Sequence, residues 1–280
     1  MLPGVTCTRL GADRCPGLLK PFVAQDGAII RLRVPGGRVR VSTLADLLAI
    51  GADHGAPLLS VTSRTNLQVR GLPDPLPEDV MVRAEATGLL PSPSHERARN
   101  ILAAPLAPDL QPLVAELDAA LCADPFLADL PGRFLFAVTD ATGAVLTEPV
   151  DAAYQALTPT SGVIRLAGLG MPCARDDAVA HLLERARLFL THREGPRVWN
   201  GRDLPADSPV FAGLEPMPVD PAPPLTPGPV GGNLVAGIPL ATLRATHLSA
   251  LVGITDDVVI TPWRSLVVPS GAEFAADLEE

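Results

Sequence analysis

Arg40-Val41-Ser42-Thr43-Leu44, followed by Val61-Thr62-Ser63-Arg64-Thr65-Asn66-Leu67-Gln68-Val69, has a second version near the far end of the chain. There it reads Arg244-Ala245-Thr246-His247-Leu248, then Ile260-Thr261-Pro262-Trp263-Arg264-Ser265-Leu266-Val267-Val268. In each version a helix start precedes a strand and a turn. The helix starts lie 204 positions apart (Arg40 and Arg244) and the turns 199 (Thr62 and Thr261), so the second version has the shorter internal loop. Two such halves imply one pseudo-symmetric domain with another domain inserted between them.

Around the first version, residues 28–34 alternate as a strand that Pro35-Gly36-Gly37 ends. Ser42 is expected to cap a helix with Leu44, Leu47 and Leu48 on one face, and strands are expected near 58–62 and 67–70. A β-α-β-β unit of this size leaves one apolar sheet face half covered, and the second version is its natural partner. The paired domain is assigned to residues 20–82 plus 230–272.

The intervening residues 90–204 follow a different pattern. Ser94 is expected to cap a short turn, and Pro112 fits the first turn of a helix carrying Leu113, Leu117 and Leu121. Residues 133–140 and 162–167 read as strands, and Asp176-Asp177 favour a helix start near 177. The fold class is therefore α+β: a ferredoxin-like domain built from two pseudo-twofold halves, with a second α+β domain inserted. Residues 205–229 hold nine prolines and are expected to be a stiff extended linker.

Apolar residues make up 47% of the 280-residue chain and charged residues 19%, the balance of a folded protein with a sizeable core. The net charge of −9 argues against a nucleic-acid partner, which requires a basic face. No apolar run is long enough to span a membrane, and Met1 to Leu10 lack the pattern of a secretory signal, so a cytoplasmic location is expected. Lys20 is the only lysine, with arginine supplying every other Lys/Arg charge. That bias suits either a GC-rich genome or the paired recognition of carboxylates that guanidinium performs better than ammonium. Cys7, Cys15, Cys122 and Cys173 are scattered without metal-site spacing, so no metal ligands are assigned. The five histidines show no catalytic spacing and are expected at the surface or at helix caps, and no acid–base pair stands out.

Several motifs carry a resemblance. Arg14-Cys15-Pro16-Gly17, Asp26-Gly27, Leu32-Arg33-Val34-Pro35-Gly36-Gly37 and Thr62-Ser63-Arg64-Thr65-Asn66-Leu67-Gln68 resemble the opening of the sulfite and nitrite reductase superfamily. So do His95-Glu96-Arg97-Ala98-Arg99-Asn100-Ile101-Leu102-Ala103-Ala104-Pro105, Leu130-Pro131-Gly132-Arg133-Phe134-Leu135-Phe136 and Thr261-Pro262-Trp263-Arg264. The likeness is greatest to the precorrin-3B synthases of cobalamin biosynthesis. It implies that siroheme, or a related tetrapyrrole, lies where the paired domain meets two larger ones. Its carboxylates would be held by Arg64, Arg99 and Arg133, with Gln68 beside Arg64 and Asn100 beside Arg99.

The resemblance has gaps. Leu135 stands where sulfite reductases have a second basic residue, and Trp263 takes the place of Arg64 in the second half, with Arg264 one position later as a weaker candidate. Each arginine also suits an ordinary turn or helix face. Family members hold a four-iron four-sulfur cluster on cysteines spaced C-x5-C and C-x3-C, and this sequence has no such set. The chain is therefore expected not to ligate the cluster itself, and the acidic residues Asp277, Glu279 and Glu280 read as a solvated terminus.

Three readings follow from the resemblance. In the first, the chain is a truncated or split precorrin-3B synthase-like oxidoreductase component, with the cluster on a second polypeptide. In the second, it is a non-redox tetrapyrrole-binding protein. In the third, it is a vestigial structural homologue. No catalytic residue is assigned in any of them.

Overall fold

Period-two alternation places Ile30, Leu32 and Val34 on one face of the first long strand and Arg31 and Arg33 on the other, and the structure is built around that division. The computed structural model describes residues 15–195 and 197–274. Arg14, Cys7 and the acidic Asp277, Glu279 and Glu280 lie outside the described residues.

The first half contains β1 (Phe22–Ala24), β2 (Gly27–Leu32), β3 (Arg38–Arg40), α1 (Val41–Asp53), β4 (Leu59–Val61), β5 (Leu67–Leu72) and α2 (Glu78–Ala86). Next come β6 (Ile101–Ala103), α3 (Gln111–Ala123), β7 (Phe136–Thr139), β8 (Ala152–Ala156), β9 (Ser161–Leu166), β10 (Leu169–Ala174), α4 (Ala178–His192) and β11 (Glu215–Pro216). The second half contains β12 (Gly228–Val230), β13 (Asn233–Gly237), β14 (Thr242–Leu243), α5 (Ala245–Leu251), β15 (Asp257–Ile260) and β16 (Ser265–Val268).

The halves exchange strands. One sheet has the order β1-β2-β5-β4-β14 and another β12-β13-β16-β15-β3, so each half gives its third strand to the other's sheet. The register is kept: Leu243 pairs with Leu59 as Val39 pairs with Val258, in keeping with the two sequence offsets. The inward residues of the first sheet (Ile30, Leu59, Leu67, Val69) and their counterparts Leu234, Val258, Leu266 and Val268 share one core with Leu44, Leu47, Leu248 and Leu251 of the helices. Each such side chain contributes about 1.5–3 kcal/mol on burial, so neither half would keep its core alone.

The inserted residues form the sheet β11-β10-β9-β8-β7-β6, in which β6, β7 and β8 run parallel. Leu113, Leu117 and Leu121 of α3 and Leu182, Leu183 and Phe189 of α4 cover one face. Leu102, Leu135, Ala137, Val145 and Ala153 form a smaller cluster that receives Trp263 from the second half.

Four local expectations change. The first helix begins at Val41, not after a Ser42 cap, because Val41 N–H already donates to Asp256 O at 2.8 Å and needs no side-chain partner. Ser94 lies within the short turn Pro93–His95, which Ser92 precedes. Only Phe136–Thr139 of residues 133–140 is strand. Within residues 205–229, β11 joins the inserted sheet and Leu225 packs over Val235, Val259 and Val267, so this stretch covers structure as well as crossing it.

Candidate functional site

The turn between β4 and β5 presents Arg64. Thr62 holds it: Thr62 N–H donates to Asn66 O at 3.0 Å, and Thr62 Oγ1 accepts from Asn66 N–H at 3.1 Å. Thr65 takes a left-handed φ of 56° at the apex. The second half builds the same turn, with Thr261 N–H to Ser265 O at 2.9 Å, Ser265 N–H to Thr261 Oγ1 at 3.2 Å and Arg264 at φ 60°. Trp263 therefore stands in the place of Arg64, and Arg264 is exposed in the place of buried Thr65.

Arg64 reaches across to the inserted domain, where Nη1 donates to Gly132 O at 2.9 Å. Gly132 O also accepts from Asn100 Nδ2 at 3.2 Å. Asn100 is fully buried, and its Oδ1 accepts from Asn66 Nδ2 at 2.9 Å while Asn66 Oδ1 accepts from Val34 N–H at 3.3 Å. Asn66 and Asn100 thus pin the Arg64 turn to the edge of the inserted sheet. Asn100 serves this junction through both ends of its amide.

Next to Gly132, Arg133 is exposed, with its guanidinium carbon 4.8 Å from the centre of the Trp199 ring. Arg133 and Arg31 are each close enough for their like charge to act on Arg64. Burial pulls the Arg64 guanidinium below its ordinary range, and nearby Cys15 and Asp151 oppose that pull. Gln68 faces Arg31: in the amide orientation that satisfies both, its oxygen accepts from Arg31 Nη2 at 2.8 Å and Nε at 3.1 Å.

Arg33 is 1% exposed. Its Nη1 donates to Pro16 O at 2.7 Å and to Arg31 O at 3.2 Å, whereas Nε and Nη2 are buried without a partner. Burial, reinforced by Arg31, pushes its pKa down to about 9, which still leaves it charged at neutral pH. The two carboxylates at this site are already engaged. Glu96 Oε2 accepts from Leu18 and Leu19 N–H at 2.8 and 2.9 Å. Asp151 accepts from Leu135 N–H, Asn200 Nδ2 and Gly201 N–H, and burial pushes its pKa up to about 6.

Arg99 is placed differently. It is 4% exposed and forms a two-pronged pair with Asp118, both bonds at 2.7 Å, while Nη1 donates to Leu89 O. Its guanidinium is committed to the inserted domain's own frame. His95, expected at the surface, is buried with Nδ1 against Ser92 and Ser94 and Nε2 against Asp124 O, because it fastens the turn ahead of Asn100.

The structure thus brings Arg64, Gln68, Asn100 and Arg133 to one junction and adds Arg31, Arg33, Asn66, Glu96 and Asp151. Arg31 and Arg33 were legible in principle, as outward positions of a strand whose partner half carries Val235 and Gly237 there. A cationic cluster whose neighbouring carboxylates are already bonded suits a polyanionic ligand. Among the described residues, no three His, Cys, Asp or Glu side chains gather as a metal site, and no helix is long and apolar enough to cross a membrane.

Residues 23–85 match the family model described as the nitrite/sulfite reductase ferredoxin-like half domain. The fold resembles the solved structure of the Mycobacterium tuberculosis NirA protein, with a TM-score of 0.60 and 17% identity over 90% of this chain. The chain spans 56% of the length of that one. No curated protein matches it significantly. The family match concerns residues 23–85, and the likeness to NirA is one of fold.

Proposed function

We propose that the chain binds a polycarboxylate tetrapyrrole, siroheme or a precorrin, as the tetrapyrrole-holding part of a precorrin-3B synthase-like oxidoreductase in cobalamin biosynthesis. The observation that carries this reading is the pairing of Arg64 and Arg133 across the junction of the two domains. Both stand beside a carbonyl edge and carboxylates that are already bonded. Guanidinium there meets ligand carboxylates through short, charge-assisted, paired hydrogen bonds. Gln68 and Asn100 position the surroundings, and Arg99 supports the inserted domain from behind. Siroheme, when bound, would supply the redox-active iron, and this chain's part is to hold the macrocycle by its rim.

A further module, on this or a second polypeptide, would supply an iron–sulfur cluster. The pseudo-twofold supports this. In the first half, a Cβ on Gly36 would lie 3.0 Å from Gln111 and Val114 of α3, so the Pro35–Gly37 turn sits beneath the inserted domain. The equivalent turn, Pro239–Ala241, carries Leu240 at 96% exposure. An apolar side chain so placed suits a second module of the inserted kind.

An absorbance titration of the purified chain with siroheme, beside Arg64→Ala, tests the binding reading. Saturable binding weakened by the substitution supports it. No spectral change with the wild-type chain overturns it.

A further inference from the structure

The two equivalent helices of the paired domain, α1 and α5, leave an apolar groove between them. Val41 N–H, at the start of α1, donates to Asp256 O, five residues past the end of α5 at Leu251, so the helices run antiparallel. The groove is an open cavity of about 700 Å³. Buried Leu48 and Leu248 form its floor, and its walls are Ala45, Ala49 and Ala52 of α1 and Ala245 and Ser249 of α5. Val252, 72% exposed, stands on the rim just past α5. The exposed side of α1 is thus divided: Asp53 turns to Arg83 of α2 at 2.7 Å, and the alanines turn to the groove.

Alanine on an exposed helix face also serves helix formation, so the walls alone do not call for a partner. The charges at one end do. Arg40 and Asp256 both line the end of the groove where α1 begins, both are exposed, and among the described residues neither has an ion pair. Their sequence neighbours are matched, with Arg38 Nη2 2.9 Å from Asp257 Oδ2. One cation and one anion left over at the same end make a pattern complementary to itself, which a contact between two identical surfaces requires. The 13 residues of α1 span about 20 Å, so the two-helix face offers an area at the low end of protein interfaces.

We infer that the α1–α5 groove is where two copies of this chain meet, in a weak dimer whose twofold axis runs along the groove. In this arrangement α1 of one copy lies over α5 of the other. Each Val252 fills the space beside the partner's Ala45, and each Arg40 meets the partner's Asp256. The small wall residues let the helices approach closely, as in a short bundle. None of the junction residues around Arg64 lines this groove, so the contact stands apart from the tetrapyrrole reading.

Sedimentation velocity of the intact chain, from about 5 to 500 µM, is the test. Wild type is compared with Arg40→Glu, Asp256→Arg, the charge swap Arg40→Glu/Asp256→Arg, and Ala49→Glu. Phe126→Glu on the inserted domain is the control. All these positions are exposed, and circular dichroism checks that each variant folds. Wild type is expected to dimerise as its concentration rises. Each single reversal sets like charges together twice in the dimer and weakens it about tenfold, and the swap restores it. Ala49→Glu blocks the groove and leaves a monomer, while the control associates as wild type does. A wild-type chain that stays monomeric throughout overturns the proposal. So does a dimer indifferent to Ala49→Glu, or a swap that stays as weak as the single reversals. A monomer that enhances the fluorescence of anilinonaphthalene sulfonate, and loses that response in Ala49→Glu, also overturns it and makes a small amphiphile the occupant.

Discussion

Arg64 and Trp263 occupy the same position in two turns closed by the same three hydrogen bonds, and they meet the inserted domain in opposite ways. Arg64 donates to Gly132 O, while Trp263 packs beside the apolar cluster of Leu135 and Ala137. The shared turn needs only Thr62 or Thr261 at its base and a left-handed apex, so the apical side chain is free to diverge. Removing Arg64 costs one hydrogen bond from a charged donor, about 2 kcal/mol, and relief from burying the guanidinium offsets part of that. Arg64→Ala is expected to melt close to wild type in urea while losing its response to siroheme.

The Asn66–Asn100 pair is a different kind of contact, since both amides are buried and both have other duties. Either single alanine leaves the other amide and a backbone group without a partner. Each is expected to cost about 2–4 kcal/mol, and the double variant less than the sum, with a coupling of about 1 kcal/mol or more. Urea unfolding of the three variants measures the cycle. Strict additivity would show that the two amides do not act together.

Arg99 offers a contrast with Arg64. Losing one partner of its buried pair with Asp118 exposes the other to an uncompensated burial cost of about 3–5 kcal/mol. Arg99→Met is expected to unfold markedly earlier, whereas Arg99→Met/Asp118→Leu recovers most of the stability. If the recovered double variant still titrates with siroheme, Arg99 acts on the fold. If it folds and fails to titrate, Arg99 touches the ligand.

These differences explain how far the site could be read from the residues alone. The pairing of halves was legible because Thr62/Thr261 and Leu44/Leu248 keep their order, and the turn geometry follows that order. The exchange of β3 and β14 was not legible, since three- and two-residue strands carry too little pattern to reveal their partners. Arg64 stood out by its motif. Arg99 has an equally strong motif, yet its partner Asp118 lies on α3, and only the packing of that helix against the Asn100 segment brings the charges together. Arg33 lies in the Leu32–Gly37 motif and Arg31 just ahead of it, yet an outward arginine on a strand reads as solvated until its twin strand shows Val235 and Gly237.

Asp151 predicts a pH dependence. Burial raises its carboxyl from the ordinary 3.8 to about 6 in the folded chain, so the folded state holds this proton more tightly than the unfolded one. Its contribution to stability is fully present below about pH 4 and is lost as pH rises through 6. The amplitude is on the order of 3 kcal/mol. Relative to Asp151→Asn, wild type is expected to gain stability as pH falls from 7 to 4 and to show a constant difference above pH 7. Urea melts at stepped pH values measure it, and a difference independent of pH would mean that the three donors to Asp151 cancel its burial.

The pseudo-twofold also predicts an asymmetry between two glycine-like positions. Gly37 and Ala241 occupy the same place in equivalent turns, at φ 75° and 57°. A Cβ on Gly37 would collide with Ile260 O, a backbone atom that cannot yield without moving β15 and with it the exchanged strand β3. Gly37→Ala therefore combines left-handed strain with a displacement of the interlock, and is expected to cost about 2–4 kcal/mol. Ala241 already bears a Cβ in the twin turn, so Ala241→Gly relieves strain while loosening the unfolded chain, and should stay within about 1 kcal/mol of wild type. Thermal melts of the two variants compare them directly. Equal and small effects would show that the two turns are interchangeable and that Ile260 O and β15 yield to the added methyl.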